Sequence, residues 1–316
     1  MGNKKSTEWL KFQTEKGEEI TFPLATVKGA KDGKTIVITA GIHGTEYPGI
    51  VAAVRFFKEL IPEKITGTVK IVTISNIQAF EKRSMFVCPM DDKNLNRVFP
   101  GDIRKGYSEA LAYYLFNEVI LKGDYHIDLH GGDMVESLIP FSMYNESGNE
   151  DVDSRSLALA QYYGLPDIIA VGTKLGSGFS GKGTASTSAS EKNIPSIVAE
   201  AGEIGQLEEK YVLMHLNGLY NVCKYLGFID GEPQKPAKIN YYKNFVWVYA
   251  SKKGIFYMDN TVKLGKQVKK DQTIGIIEDY FGNEIEKIVS PITGRVMFLT
   301  TSPAVKDKGV LMGLAE

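Results

Sequence analysis

Cysteine is scarce. Cys88 and Cys223 are the two in 316 residues, and they form no CxxC pair. That usage argues against a disulfide framework and suits a reducing compartment, so a cytoplasmic location is expected. An excess of charge is also missing: 37 Lys and Arg stand against 38 Asp and Glu, a net charge of −1. No strong field draws such a chain to nucleic acid or to an anionic membrane. No apolar run is long enough to span a bilayer. The leader MGNKKSTEWLKF lacks the apolar core of a secretory signal. It fits the MGxxxS pattern of myristoylation, which a polar leader also meets by chance. What remains is the composition of a soluble globular protein, 43% hydrophobic and 24% charged. At roughly 150 residues per domain the length suggests two domains.

Apolar strands alternate with amphipathic helices over the first two thirds. TIVITA (35–40), GTVKIVTIS (67–75), YHIDL (125–129) and IPSIVAE (194–200) read as strands. Pro48 suits the first turn of a helix in which Ile50, Val54, Phe57 and Leu60 recur at helical spacing. Residues 108–121, with Ser108 as cap, 156–165 and 211–227 read as further helices. This alternation predicts an α/β domain with a largely parallel sheet flanked by helices. Residues 172–193, rich in Gly, Ser and Thr, break the rhythm and read equally as a surface loop or as a lid.

Near residue 230 the composition shifts. DGEPQKPAKINYYKN (230–244) reads as a linker. We expect a catalytic domain over 1–235 and a β-rich domain over 236–316. The second part repeats weakly: GIFYM and VKKDQTIG at 254–275 match GRVMF and VKDKGVLMG at 294–313. Two such units predict a small pseudo-symmetric barrel or sandwich. It resembles biotinyl- or lipoyl-type barrels, but the expected hairpin tip, DYFGNE (279–284), has no carrier lysine. A structural part, or one wall of the site, is the reading that remains.

The chemistry gathers at strand ends. His43 follows TIVITA, His130 follows YHIDL and Glu200 ends SIVAE. Ligands in open α/β sheets bind at this carboxyl edge, where Asn76 would also face. Two histidines and one carboxylate are an established catalytic zinc set, and His43, Glu46 and His130 supply it. HxxE alone is also what a solvated helix start carries; the second histidine tips the reading to a metal. Gly41, Gly44, Gly131 and Gly132 would let the backbone approach metal and substrate. Asp128 is a candidate to orient the imidazole of His130, or simply a buried acid. His126 and His215 show no partner pattern. A hydrolase also needs a proton carrier, and Glu200 is the candidate, with Glu203 close by. The loop RSMFVCPMDDKNLNRVFPG (83–101) has arginines at both ends, which suit a carboxylate or an oxyanion. Cys88 has no base near it in the sequence and reads as inert.

GIHGTE, the arginine of EKR, NLNRVFPG, DLHGG and PSIVAEAGE occur in the order found in succinylglutamate desuccinylase/aspartoacylase proteins, relatives of the zinc carboxypeptidases. The resemblance covers most of 35–205. It implies a zinc-carboxypeptidase-like fold with one Zn2+ held by His43, Glu46 and His130. Glu200 would be general base and acid, and Arg83 would polarise the scissile carbonyl. Asn96 and Arg97 would grip a substrate carboxylate. One departure stands out: the family usually reads DLNR, and here Asn94 replaces the acid, with Asp91 or Asp92 as candidates to substitute. The expected activity is a zinc hydrolase cleaving the linear amide of a small-molecule N-acyl amino acid; the alternative is a carboxypeptidase acting on short peptides or cell-wall fragments. No nucleic-acid or membrane partner is expected, and a homo-oligomer is compatible with the sequence. Tyr144, Tyr257 and Tyr280 are candidates to reach the site.

Overall fold

A computed structural model describes residues 4–172 and 182–316. The first residues of the leader and part of the candidate lid, 173–181, lie outside the described residues. The catalytic half is built on nine strands: β1 (Lys4–Gln13), β2 (Glu19–Lys28), β3 (Lys31–Ala40), β4 (Thr66–Val72), β5 (Tyr125–His130), β7 (Phe141–Glu146), β8 (Asp167–Gly172), β9 (Ser196–Glu200) and β10 (Asn240–Tyr242). Their order is β1-β2-β4-β3-β5-β9-β7-β8-β10. A short strand, β6 (Glu136–Leu138), belongs elsewhere.

The sheet is mixed. Two parallel blocks, β4-β3-β5-β9 and β7-β8-β10, run against each other across the β7–β9 pair, and β1 and β2 add antiparallel strands at one edge. The sheet is thus mixed where a largely parallel one was expected, because β7 runs against β9 and a hairpin is added at one edge. The central strands are apolar on both faces because helices cover both. One face packs under α1 (Tyr47–Glu59), α4 (Glu150–Tyr163) and α6 (Glu209–Tyr225), around Ile38, Phe56, Ile127, Leu159 and Leu219. The other packs under α3 (Tyr107–Glu118) and α5 (Ala185–Glu191), around Phe22, Val37, Leu111 and Phe116. A short helix, α2 (Ile77–Lys82), follows β4.

Several boundaries differ from expectation for local reasons. Pro48 does sit in the first turn of α1, but the buried face is Ile50, Ala53 and Phe56. The N-cap of α3 is Gly106, not Ser108; the Ser108 hydroxyl and amide are both held by Asp91. Part of the Gly/Ser/Thr segment is helical: the Thr184 hydroxyl accepts from the amide of Thr187 and starts α5, whose apolar contacts are alanines. The 230–244 stretch is not only a linker, because β10 within it extends the main sheet.

The C-terminal strands are β11 (Phe245–Tyr249), β12 (Gly254–Met258), β13 (Gln267–Val268), β14 (Thr273–Glu278), β15 (Glu284–Val289), β16 (Gly294–Thr300), β17 (Ala304–Val305) and β18 (Val310–Ala315). They form two antiparallel sheets, β11-β18-β16-β13 and β15-β14-β12-β17. The weak repeat is visible in the pairing. Strand β12 pairs with β14 of its own unit and β17 of the other; β16 pairs with β18 of its own unit and β13 of the other. The two halves are stitched together. Strand β6 pairs with β16, and Arg295 Nη1 bonds Asp167 Oδ1 on β8 at 2.6 Å. Among the described residues no helix is long and apolar enough to cross a membrane.

Candidate metal centre and its cavity

The loop between β3 and α1 carries two of the expected ligands. His43 lies within it, and Glu46 is the N-cap residue of α1. The loop can bend so tightly because position 44 is glycine: a Cβ there would stand 2.2 Å from the amide nitrogen of Phe80. Gly131 has a similar reason, since a Cβ would meet the Ala201 carbonyl oxygen at 2.8 Å. Neighbouring backbone packs against both positions, and Gly131 also lines the adjoining cavity.

His130 ends β5, and Glu200, which ends β9, is its register partner. Residues opposite one another on adjacent strands share a face, so histidine and acid emerge side by side. Glu46 bridges the two imidazoles. Its Oε1 is 2.7 Å from His43 Nδ1 and its Oε2 is 2.8 Å from His130 Nδ1. One ligand atom from each of the three residues lies within 4.8 Å of the others. The far nitrogens are tied as well. His43 Nε2 is 3.1 Å from Asn94 Oδ1, and His130 Nε2 is 3.0 Å from Asp128 Oδ2. Asp128 is anchored by the Thr39 hydroxyl at 2.6 Å. Both imidazoles thus present Nδ1 to the same point, which is what a divalent ion requires of a two-histidine, one-carboxylate set. The donor set fits zinc.

The cluster is electrostatically tight. Burial alone would raise the Glu46 carboxyl, but the two imidazoles outweigh it and hold it at about 2. Burial alone would lower His130, yet Asp128 and Glu46 raise it well above its ordinary value; His43 is raised by Glu46 against the same burial. Burial pushes the Glu200 carboxyl up to about 8, with Glu46 and Glu136 adding to the effect. His126 and His215 behave differently. Burial lowers both to about 4, and each is held by neutral partners, Thr39 and Ser196 for His126, Tyr163 and the Ala201 carbonyl for His215. They are neutral core histidines rather than surface groups.

A cavity of about 860 Å³ opens from the cluster. His43, Glu46, His130, Glu200, Asn96 and Arg97 all line it. Arg97 stays accessible within this wall, and the protein packed around it lowers its guanidinium. The Asn96 side chain accepts from the Ala185 amide at 3.0 Å and comes within 3.3 Å of His130 Nε2. Arg83 is not brought into this wall: it is exposed at the C-cap of α2, in left-handed conformation, and makes no side-chain bond to the described residues. Glu203 is likewise outside the wall, its carboxylate held by Ser137 and Tyr211. Asn76 caps α2. Asp91 is engaged with Ser108, so Asn94 itself fills the place behind His43. Cys88 is buried and its thiol raised, in keeping with an inert residue.

Two lining residues had escaped the sequence. Tyr249 lines the cavity, whereas Tyr257 and Tyr280 are exposed and Tyr144 lines a separate groove beside α4. Glu136 lines it too, with its carboxylate accepting from the Asp133 amide at 2.9 Å. Nothing in GGDMVESL marks that acid; the pairing of β6 with β16 places it.

Comparison with known proteins follows the geometry. Residues 32–226 match the model of the succinylglutamate desuccinylase/aspartoacylase catalytic domain. The N-alpha-acetyl-L-2,4-diaminobutyric acid deacetylase of Halomonas elongata is 27% identical over 262 residues, 82% of this chain and 75% of that protein. Among solved structures, a succinylglutamate desuccinylase/aspartoacylase from Rhodobacter sphaeroides superposes with a TM-score of 0.85 at 22% identity, covering 100% of this chain and 96% of the other. The ectoine utilization protein EutE of Ruegeria pomeroyi, with product bound, gives 0.85 at 22% identity, covering 99% and 95%. With the catalytic-domain match spanning more than half of its length, this chain belongs to the succinylglutamate desuccinylase/aspartoacylase family, a family of acyl-amino-acid deacylases.

Proposed function

We propose that the chain is a zinc-dependent amidohydrolase that cleaves a small N-acyl amino acid into a carboxylate and a free amine. The observation that carries this reading is the convergence of His43, Glu46 and His130 within 4.8 Å, beside Glu200, at one end of a cavity. The Halomonas elongata relative is a deacetylase of an acetylated amino acid, which supports the same bond class here.

His43, Glu46 and His130 would hold the ion. When bound, zinc supplies Lewis-acid polarisation of the scissile carbonyl and acidifies a water molecule. The remaining work falls to the chain. Glu200 takes the proton from the attacking water and returns it to the departing nitrogen, a role worth about 10²–10⁴-fold. Without the ion its buried position favours the protonated form; a dication held by the neighbouring ligands would favour the ionised form that accepts the water proton. Arg97 pairs with a substrate carboxylate, and the Asn96 amide, fixed by α5, sets the distance between that anchor and the metal ligands. Arg83, exposed at the C-cap of α2, is assigned to the developing oxyanion, which requires it to swing inward. We place the domain division after β10, past Tyr242 rather than near residue 235, and the protein in the cytoplasm, where two buried thiols stay reduced.

The test is elemental analysis of the purified protein together with an assay panel of N-acetyl, N-succinyl and N-formyl amino acids beside short peptides. Stoichiometric zinc with turnover of acyl amino acids is the expected result. Turnover of the peptides alone would establish the carboxypeptidase alternative.

A further inference from the structure

The cavity is larger and more apolar than the bond-breaking step needs. Its chemical end holds the metal ligands, Glu200 and Arg97. Beside Glu200, whose register partner on β7 is Phe141, the wall turns apolar: Phe141 and Met143 on β7, Val198 on β9, Trp247 on β11 and Phe298 on β16. This wall is drawn from both halves of the chain. Most of it belongs to one apolar cluster, backed by Ile169, Phe245 and Met297. Packed side chains behind a wall keep it from collapsing into the space it faces. Ligand pockets of about 300–1,000 Å³ take drug-sized molecules, and 860 Å³ lies toward the upper end. An acetyl group on a short polar amino acid would leave most of this surface against water, a loss of burial at roughly 25 cal/mol per Å².

We propose that the substrate carries a bulky apolar group, a medium-length alkyl chain or an aromatic ring, that lies against Phe141, Met143, Trp247 and Phe298. The inference rests on the amidohydrolase reading and specifies its substrate class. The group can belong to the acyl half or to the amino-acid side chain; the chemistry of the wall is the same for both. Charged groups line the cavity as well: Glu136, whose carboxylate would instead select a substrate ammonium group, and Lys306 and Lys308, which would select an anion.

The zinc-loaded full chain is assayed with two series: glycine acylated with acetyl, butyryl, hexanoyl, octanoyl or benzoyl, and acetylated alanine, norleucine, phenylalanine or lysine. In parallel, the binding of acetate, hexanoate and octanoate is followed by tryptophan fluorescence. We expect kcat/KM to climb along one series by about 4-fold per methylene, the equivalent of ~0.8 kcal/mol of burial, and the carboxylates to bind more tightly with length. Trp247→Ala should shrink the ratio of the longest to the shortest substrate by about 10-fold. Should that variant not fold, the carboxylate series on the unaltered chain gives the same reading. Equal turnover along both series, with length-independent binding, overturns the proposal and leaves the amidohydrolase reading intact. Acetyl-lysine outrunning every apolar substrate overturns it in favour of Glu136. No turnover in either series, with no length-dependent binding, overturns both.

Discussion

Asn94 Oδ1 stands 3.1 Å from His43 Nε2, in the place that Asp128 Oδ2 holds at 3.0 Å behind His130. The two imidazoles of one site are therefore backed by groups of different charge. A carboxylate behind a ligating imidazole raises its basicity and fixes its tautomer, and outer partners of this kind change metal affinity by about 10–100-fold. A carboxamide fixes the tautomer without adding charge. Asn94→Asp should therefore tighten zinc by about 10-fold, measured by competition with a chromogenic chelator, and Asn94→Ala should loosen it. An unchanged affinity in Asn94→Asp would show that only the hydrogen bond matters.

The same cluster should expel protons when it binds metal. Glu46 and Asp128 raise His130 well above its ordinary value against burial, and Glu46 raises His43. The metal-free histidines thus hold their protons to higher pH than ordinary imidazoles, and ligation requires their loss. Zinc titrations by calorimetry in buffers of different ionisation heat should show net proton release. The apparent affinity should fall as pH drops through the range in which the histidines protonate. Equal heats in all buffers would contradict the raised values.

Glu200 gives a pH effect of the opposite kind. Burial raises its folded-state value to about 8, above the ordinary 4.5. Between those values the folded chain keeps a proton that the unfolded chain has released, so stability falls as pH rises through that window, by at most about 1.4 kcal/mol per pH unit. Urea unfolding of the metal-free protein at several pH values should show a shallower decline in Glu200→Gln than in the unaltered chain. The same substitution should abolish turnover while zinc stays bound. Retained activity would pass the role to another acid, although the carboxylate of Glu203 is committed to Ser137 and Tyr211.

The sequence revealed the centre of this molecule better than its margins. Strands β3, β5 and β9 are apolar because both faces are covered, and a histidine or acid immediately beyond such a run has few structural excuses. That logic found His43, His130 and Glu200. It failed where local composition and tertiary role diverge. Strand β1 is charged and mostly exposed, with Trp9 58% accessible, and it forms by pairing with β2 rather than by burial. The alternation Ile20, Phe22, Leu24 in β2, all buried, was a usable signal. Helix α5 carries serines, a threonine and two alanines, with no apolar period, yet six of its residues are buried. Glu136 and Tyr249 reach the cavity through strand pairings between distant segments, which no local window contains.

The two arginines make the sharpest contrast. Arg97 lines the cavity with an accessible side chain, its Nη1 donating to the Asn96 carbonyl at 2.7 Å and Glu200 and Glu136 near enough to act on its charge. A guanidinium held this way meets a substrate carboxylate equally in the ground and transition states, so Arg97→Ala should raise KM and leave kcat largely intact. Arg83 is exposed at the end of α2, and its side chain makes no bond to the described residues. If it stabilises charge that develops only during the reaction, it must swing inward, and Arg83→Ala should lower kcat by about 10²-fold, the equivalent of ~3 kcal/mol for one lost oxyanion donor. Steady-state kinetics of both variants on one substrate separates the roles. A KM effect at Arg83 with a kcat effect at Arg97 would exchange them, and an Arg83→Ala variant with unaltered kinetics would remove that residue from the chemistry and leave the oxyanion to the metal and Arg97.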